Sequence, residues 1–479
     1  MLDSIVQRAR KVKRKIKEET KMTQYLENML RAMRPAFSRK AVFVWFVVAV
    51  AGIATRSDVL GVTSIVRALW LAPACYPCLL HFFHSEAWTA GSLMRHWWKW
   101  LDAEGVARMH GERIVLLGDH TKHAKDGRKM PQVATLHQDS ETSSKPSYFR
   151  GHHWGALCLL TRRGSKHFGT PLWAEIHRDA AASSRAVRPV EAAIEIAQDL
   201  GKSALLVLDA FFSAGPVFLA AARSGVVDIL TRAKKSVVAY RPPEPATRRG
   251  PGRPRIYGAK LKLMQLFKTM AARFEESEAF VYGRRETVRH LTLDLLWKPV
   301  AAPLRFFLLV TSRGPIILMT SDFSMDAVRA LELYCCRVSI ETLFDGLKNL
   351  LGALGYHFWS RYLEKASRRP AKNAKPQTSS RPEKTRNTLD AIERFVAVGM
   401  FVMGMLQMLA FRFSTEIRAQ AHCWLRTPCG EIPSPFVTKT ALARLIRANL
   451  LGFGKDLISH FIRQKRNNGE ISKDFTEVA

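Results

Sequence analysis

The stretch YCCRVSIETLFDGLK, Tyr334 to Lys348, decides how the rest of the chain is understood. It spaces Tyr334, Arg337, Glu341 and Lys348 as Y-x2-R-x3-E-x6-K, among good helix formers and with no Gly or Pro before Gly346. On one continuous helix at about 100° per residue, these four side chains share a sector of roughly 60°. A phenol, a guanidinium, a carboxylate and an ammonium then project from one face. Ile340, Leu343, Phe344 and Leu347 lie largely on other sides and can supply the packing. Such a polar stripe suits phosphate handling around one metal-ligand candidate.

Two apolar runs upstream each end in an acid: Ile114-Val115-Leu116-Leu117-Gly118-Asp119 and Leu205-Leu206-Val207-Leu208-Asp209. With the spaced helix, they make an ordered set Asp119, Asp209, Glu341. The set resembles the DDE transposases encoded by bacterial insertion sequences, whose Y-R-E-K signature matches this stretch at all four positions. The resemblance implies an α/β fold with an RNase H-like core. There the two aspartates close neighbouring central strands and Glu341 reaches them from a helix. Cys335, Cys336 and Val338, where a Trp is frequent, depart from the commonest family form, with packing consequences only.

Composition points the same way. Lys and Arg number 74 against 41 Asp and Glu, a net charge of +33 and a pI near 10.3. That balance predicts a polyanionic partner, most simply nucleic acid. A 47% hydrophobic content excludes global disorder. The seven Cys are scattered without a compact framework, which fits reduced thiols in the cytoplasm. No apolar signal core follows the basic run Arg8 to Lys17. The apolar window Ala41–Ala54 falls short of the ~20 residues of a spanning helix, so it and Phe395–Phe411 are expected as core helices.

In chain order, residues 1–110 are expected as a helical domain that binds DNA ends. Residues 111–239 form the first part of the RNase H-like core: strands at Arg113–Asp119, Trp154–Arg162 and Pro171–His177, a helix at Val190–Leu200, a strand ending at Asp209, a helix at Pro216–Arg223 and a strand at Val226–Thr231. Residues 240–320 are expected as a β-rich insertion, 321–360 as the rest of the core, 361–388 as a flexible basic loop and 389–479 as a helical region serving dimerisation or synapsis. No internal repeat is present. Cys75, Cys78, His81 and His84 have the residue types of a zinc site, but every spacing is two residues, and structural zinc usually separates its ligand pairs by a longer loop. Packing roles are expected there.

The resemblance also assigns chemistry. Asp119, Asp209 and Glu341 would hold two Mg²⁺ ions, with Mn²⁺ as a substitute, for phosphodiester cleavage and strand transfer. Arg337 and Lys348 would grip phosphates and Tyr334 would contact DNA. Trp297 is a candidate for stacking on a flipped base, against the plainer reading of a core Trp. Arg253 and Arg255, in GRPR, resemble a minor-groove element, against the plainer reading of a solvated turn. His120 and His123 are expected to line the cleft or touch DNA. Asp322 and Asp345 compete with Glu341 for the third-ligand role. The expected partners are the double-stranded terminal repeats and target DNA, with a homodimer in the synaptic complex, no membrane, and a nucleoid-associated cytoplasmic location. The rival readings are a non-catalytic DNA-binding protein derived from a transposase and another RNase H-like nuclease.

Overall fold

The computed structural model describes residues 20–138, 147–178, 182–244, 255–367, 377–422, 430–452 and 454–467. A helix at residues 20–32 (α1) leads into α2 (Lys40–Thr55), α3 (Val62–Ala68), α4 (Cys75–His84) and α5 (Ala90–Glu104). The chain then turns to strands: β1 (Met109–His110), β2 (Arg113–Ala124), β3 (Ala134–His137), β4 (Tyr148–Arg163) and β5 (Lys166–Ile176). Next come α6 (Ala182–Asp199), β6 (Ala204–Leu208), α7 (Gly215–Ser224), β7 (Val227–Arg232), β8 (Val238–Tyr240), β9 (Lys260–Lys262) and α8 (Leu263–Thr269). The strands β10 (Glu275–Val281), β11 (Arg284–Trp297), β12 (Ala302–Thr311) and β13 (Gly314–Thr320) precede α9 (Ala327–Cys335) and α10 (Val338–Asp345). The last helices are α11 (Pro382–Arg412), α12 (Ser414–Ala421), α13 (Pro435–Leu451) and α14 (Leu457–Asn467).

One mixed sheet organises the α/β architecture. Its order runs β3-β4-β2-β6-β7-β13-β12-β11-β8-β9, with β5 added to β4 and β10 to β11. β2, β6 and β7 are mutually parallel and the other pairings are antiparallel. β6 reads Ala-Leu-Leu-Val-Leu with every residue buried, the continuous apolar run of a strand covered on both faces. The segment expected as an insertion is β-rich, but it adds no separate sheet. β13 pairs with β7 at Leu318–Arg232, so β10 to β13 extend the central sheet itself.

Helices cover both faces. α6 packs on β2, β4, β6 and β7, while α10 packs on β2, β4 and β5, and α5 and α11 pack on β5. Local chemistry sets the helix ends: Thr89 caps α5 by accepting from the Ser92 N–H, and Gly105 ends it with a φ of 64°. The helical N-terminus and C-terminus, expected as separate regions, form one body. α11 packs against α2, α4, α5 and α13, and α2 packs against α13 and α14.

α11 begins at Pro382 rather than Leu389, so the expected loop is shorter at that end; residues 368–376 lie outside the described residues, as do Arg8–Lys17, Cys423, Cys429 and Arg253. α11 is long and apolar enough to cross a membrane, yet its apolar window is wholly buried inside the protein. Two of its polar residues donate to carbonyls: Arg394 Nε to Trp88 O at 3.0 Å and Gln407 Nε2 to Gly169 O at 3.1 Å. The Cys75-to-His84 run lies on α4, where four residues at three-residue intervals climb the helix by about 1.5 Å per residue and cannot converge on one ion. Cys75 is buried, as a packing role requires, whereas Cys78 and His81 are exposed on the outer side of the helix.

Gly404 marks a close approach of α11 to α5. A Cβ there would lie 2.3 Å from Trp97 Cζ2, and Trp97 is itself fully buried with its indole N–H on Pro171 O at 3.0 Å. Gly404→Ala is therefore expected to destabilise the protein by about 1–3 kcal/mol through overpacking. Denaturant melts of the two proteins check this; an unchanged midpoint contradicts the close approach.

Candidate active site

β2 and β6 run parallel in register from Ile114–Ala204 to Leu117–Val207, which brings Asp119 and Asp209 to the same end of neighbouring strands. Gly118 permits this crowding, since a Cβ there would meet Leu208 at 2.6 Å and Leu157 at 3.0 Å. β2 does not stop at Asp119. It continues to Ala124 against β4, so Asp119 sits mid-strand where the β6 partner ends. Asp209 caps the following 3₁₀ turn, accepting from Phe211 N–H at 2.9 Å.

Glu341 approaches from α10, on the face of the sheet that Asp119 points to. The expected single helix from Tyr334 to Lys348 is broken into three pieces. α9 ends at Cys335, and the joint to α10 closes with i→i+3 bonds: Arg337 N to Tyr334 O, Ser339 N to Cys336 O and Ile340 N to Arg337 O. Such 3₁₀ turns wind more tightly and change the phase of the face. After Asp345 the chain widens into a π-helical turn, Gly346–Leu350, with Leu351 N on Gly346 O.

The joint aims Arg337 into the acids. Its Nη1 donates to Asp119 Oδ2 at 2.8 Å and its Nη2 donates to Glu341 Oε1. Asp119 is nonetheless pushed up to about 7, by burial first and by the Asp209 carboxylate second, with Arg337 opposing. Burial also raises Asp209. Two partly buried carboxylates and a third nearby, with one guanidinium between them, carry more negative than positive charge. This hard-oxygen set suits divalent cations such as Mg²⁺. Asp119 and Asp209 also line an open cleft of about 710 Å³ with Lys122, His153, Arg185 and the exposed ring of Phe211.

The other expected residues divide. Lys348 is turned inward, donating to Lys122 O at 3.0 Å, and its burial lowers its pKa. Tyr334 is buried at 7% exposure under the Arg337 guanidinium, 6.0 Å from the ring centre, so it offers no face for a base. Trp297 is corrected to a core residue: it is buried and packs edge-on against Phe218 of α7 at 5.6 Å. Arg255 is exposed. Asp322 does not compete for metal, because it is buried and held by His110, Arg113 and Ser324. Asp345 is occupied by Asn349 at 2.7 Å.

Three histidines meet on the other side of the strand. His120 faces opposite to Asp119 by the alternation of β2, and His153 of β4 and His177 just beyond β5 surround it. Burial, then the neighbouring histidines, push His120 down to about 2; burial, then Arg185, push His177 to about 4. His153 and His177 carried no spacing signal in the sequence. His123 lies farther along β2, lowered to about 4 by burial beside Lys125 and Lys348.

A family profile described as DDE superfamily endonuclease matches residues 32–292, more than half of the chain, and the chain belongs to that family. The matched segment contains Asp119 and Asp209 but ends before Glu341, whose assignment rests on the geometry above. No curated protein matches the chain. A cryo-EM structure titled as a piggyBac transposase synaptic complex with hairpin DNA aligns over 90% of this chain and 76% of that one, at 10% identity and a TM-score of 0.32, too low for the two folds to be equated.

The raised Asp119 links stability to pH. Its ordinary value is near 4, so the folded protein keeps this proton longer than the unfolded chain does. Stability from this group is therefore lost as pH rises from about 4 to about 7, at about 1.4 kcal/mol per pH unit at most. In chelator-treated protein, Asp119→Asn should raise the melting temperature relative to wild type at pH 8 and much less at pH 5. An equal effect at both pH values contradicts the burial of an unneutralised carboxylate.

Proposed function

We propose that this protein is a DNA transposase: it binds the ends of its own element, cuts them with metal-bound carboxylates and joins them to target DNA. The observation that carries the reading is the convergence of Asp119 and Asp209, from neighbouring parallel strands, with Glu341, tied to Asp119 through Arg337. Membership of a DDE endonuclease family supports the nuclease class. The strand order β5-β4-β2-β6-β7, an antiparallel meander followed by two parallel strands with α6 and α7 between them, supports an RNase H-like core. The net charge of +33 supports a DNA partner.

Asp119, Asp209 and Glu341 would hold two Mg²⁺ ions, and Mn²⁺ in their place. Bound there, the ions supply activation of a water or 3′-hydroxyl and stabilisation of the leaving oxygen. The chain's own residues do the rest. Arg337 lies within reach of both carboxylates and can pass to a phosphate when metal replaces it. Lys348, anchored on the β2 carbonyl of Lys122, holds α10 against the sheet. Phe211, exposed at the cleft beside Asp209, offers the aromatic face that Trp297 does not. Work on the terminal repeats as a homodimer, in the cytoplasm at the nucleoid, and an origin in a bacterial insertion sequence complete the proposal.

Cleavage of labelled DNA carrying the element ends, with Mg²⁺ or Mn²⁺, tests the reading in wild type, Asp209→Asn and Glu341→Gln. The variants should lose cleavage by orders of magnitude while retaining salt-sensitive binding of the ends. Equal cleavage by wild type and Glu341→Gln removes Glu341 from the site. Binding without cleavage by wild type favours the non-catalytic reading instead.

A further inference from the structure

We propose that His120, His153 and His177 form a second metal site, for a single ion of the Zn²⁺ class, beside the carboxylates and on the other side of β2 from Asp119. One ring nitrogen from each histidine lies within 4.8 Å of the other two. The ring centres are 4.5 Å apart for His120 and His177, 4.8 Å for His153 and His177, and 5.0 Å for His120 and His153. The three side chains come from three adjacent strands or their ends, so the cluster is made by the sheet and not by one local turn.

Hydrogen bonding bears on which nitrogens are free to bind. The Arg185 carbonyl at the start of α6 can only accept, so His120 Nε2, 3.2 Å away, carries the proton and the lone pair stays on Nδ1. A carbonyl holding the far nitrogen of a ligand histidine is a common support of metal sites, because it fixes tautomer and ring orientation. His177 Nε2 is buried and has no hydrogen-bond partner among the described residues. Edge-to-face packing alone would leave that nitrogen's desolvation uncompensated, where an apolar ring would serve as well. A bound cation removes the cost.

The donor set selects the ion. Three uncharged imidazoles suit Zn²⁺, and equally Co²⁺ or Ni²⁺, and offer little to Mg²⁺, which prefers oxygen. A fourth position stays open to water through the cleft that His120 and His153 line together with Asp119 and Asp209. The ion would fasten β2, β4 and the end of β5 beside Asp119, whose Oδ1 accepts from the backbone N–H of His120 at 2.7 Å. The site positions the carboxylate and takes no part in cleavage, and its existence does not depend on the nuclease reading.

Full-length protein is stripped with chelator and equilibrated with Co²⁺ in excess Mg²⁺, which keeps the carboxylates occupied. Metal content by mass spectrometry, the visible Co²⁺ spectrum and the melting temperature are then read for wild type, His153→Ala and His177→Gln. The expected result is one Co²⁺ per wild-type chain, a spectrum without a thiolate charge-transfer band, a melting temperature raised by metal, and binding weakened at least roughly tenfold in both variants. Substoichiometric metal in wild type overturns the proposal. So does binding that both variants retain unchanged, or a thiolate band, which moves the ion to a cysteine. If a variant does not fold, stoichiometry and spectrum of the wild type decide.

Discussion

Carboxylates repel one another most where water is excluded, and the Arg337 guanidinium, shared between Asp119 and Glu341, is the contact that lets this fold hold them close. Without it, Asp119 would face Asp209 across neighbouring strands without the guanidinium that now lowers both. With it, the repulsion is reduced but not removed, which is why Asp119 still sits near 7. An arginine bridge of this kind is a stand-in for a doubly charged ion. In the proposed mechanism it would hold the site in the absence of metal and yield it to a better counter-ion.

The rest of the chain fixes the parts that make this bridge. The segment after α10 is pinned by two buried cations that have carbonyl partners where carboxylates might be expected. Arg56, 2% exposed, donates to Gly352 O at 3.0 Å and to Ser64 Oγ at 2.9 Å, and its burial lowers it to about 10. Lys125 donates to Leu354 O at 2.6 Å and Tyr356 O at 2.9 Å, lies 3.8 Å from the Tyr356 ring centre, and is lowered to about 8 by burial. One cation comes from the N-terminal helices and the other from the end of β2. Helical shell and sheet are thus tied to the same short segment that follows the Glu341 helix.

Much of this was legible in local sequence, because local rules govern it. Apolar runs closing in Asp read as strands, and β2 carries Asp119 while β6 ends one residue before Asp209. The alternation of strand and helix after His177 was equally plain. The helix signature named Arg337, which reaches Asp119, but not the tightened joint at Cys336, since nothing in its composition breaks a helix. Long-range pairing was hidden as well. No local pattern says that β13 joins β7, or that Trp297 of β11 packs against Phe218 of α7. The packing of the two helical ends on each other, and the meeting of His120 with His153 and His177, likewise depend on contacts between residues far apart in the chain.

The central claim is that Asp119, Asp209 and Glu341 are a metal site for which Arg337 is the resting counter-ion. Crystals of the protein soaked in Mn²⁺ and measured at the manganese absorption edge test it most directly. Anomalous density bounded by the three carboxylates, with the Arg337 guanidinium withdrawn from Asp119, is the predicted result. Manganese absent from that cleft at millimolar concentration, with the Arg337–Asp119 contact intact, would contradict it.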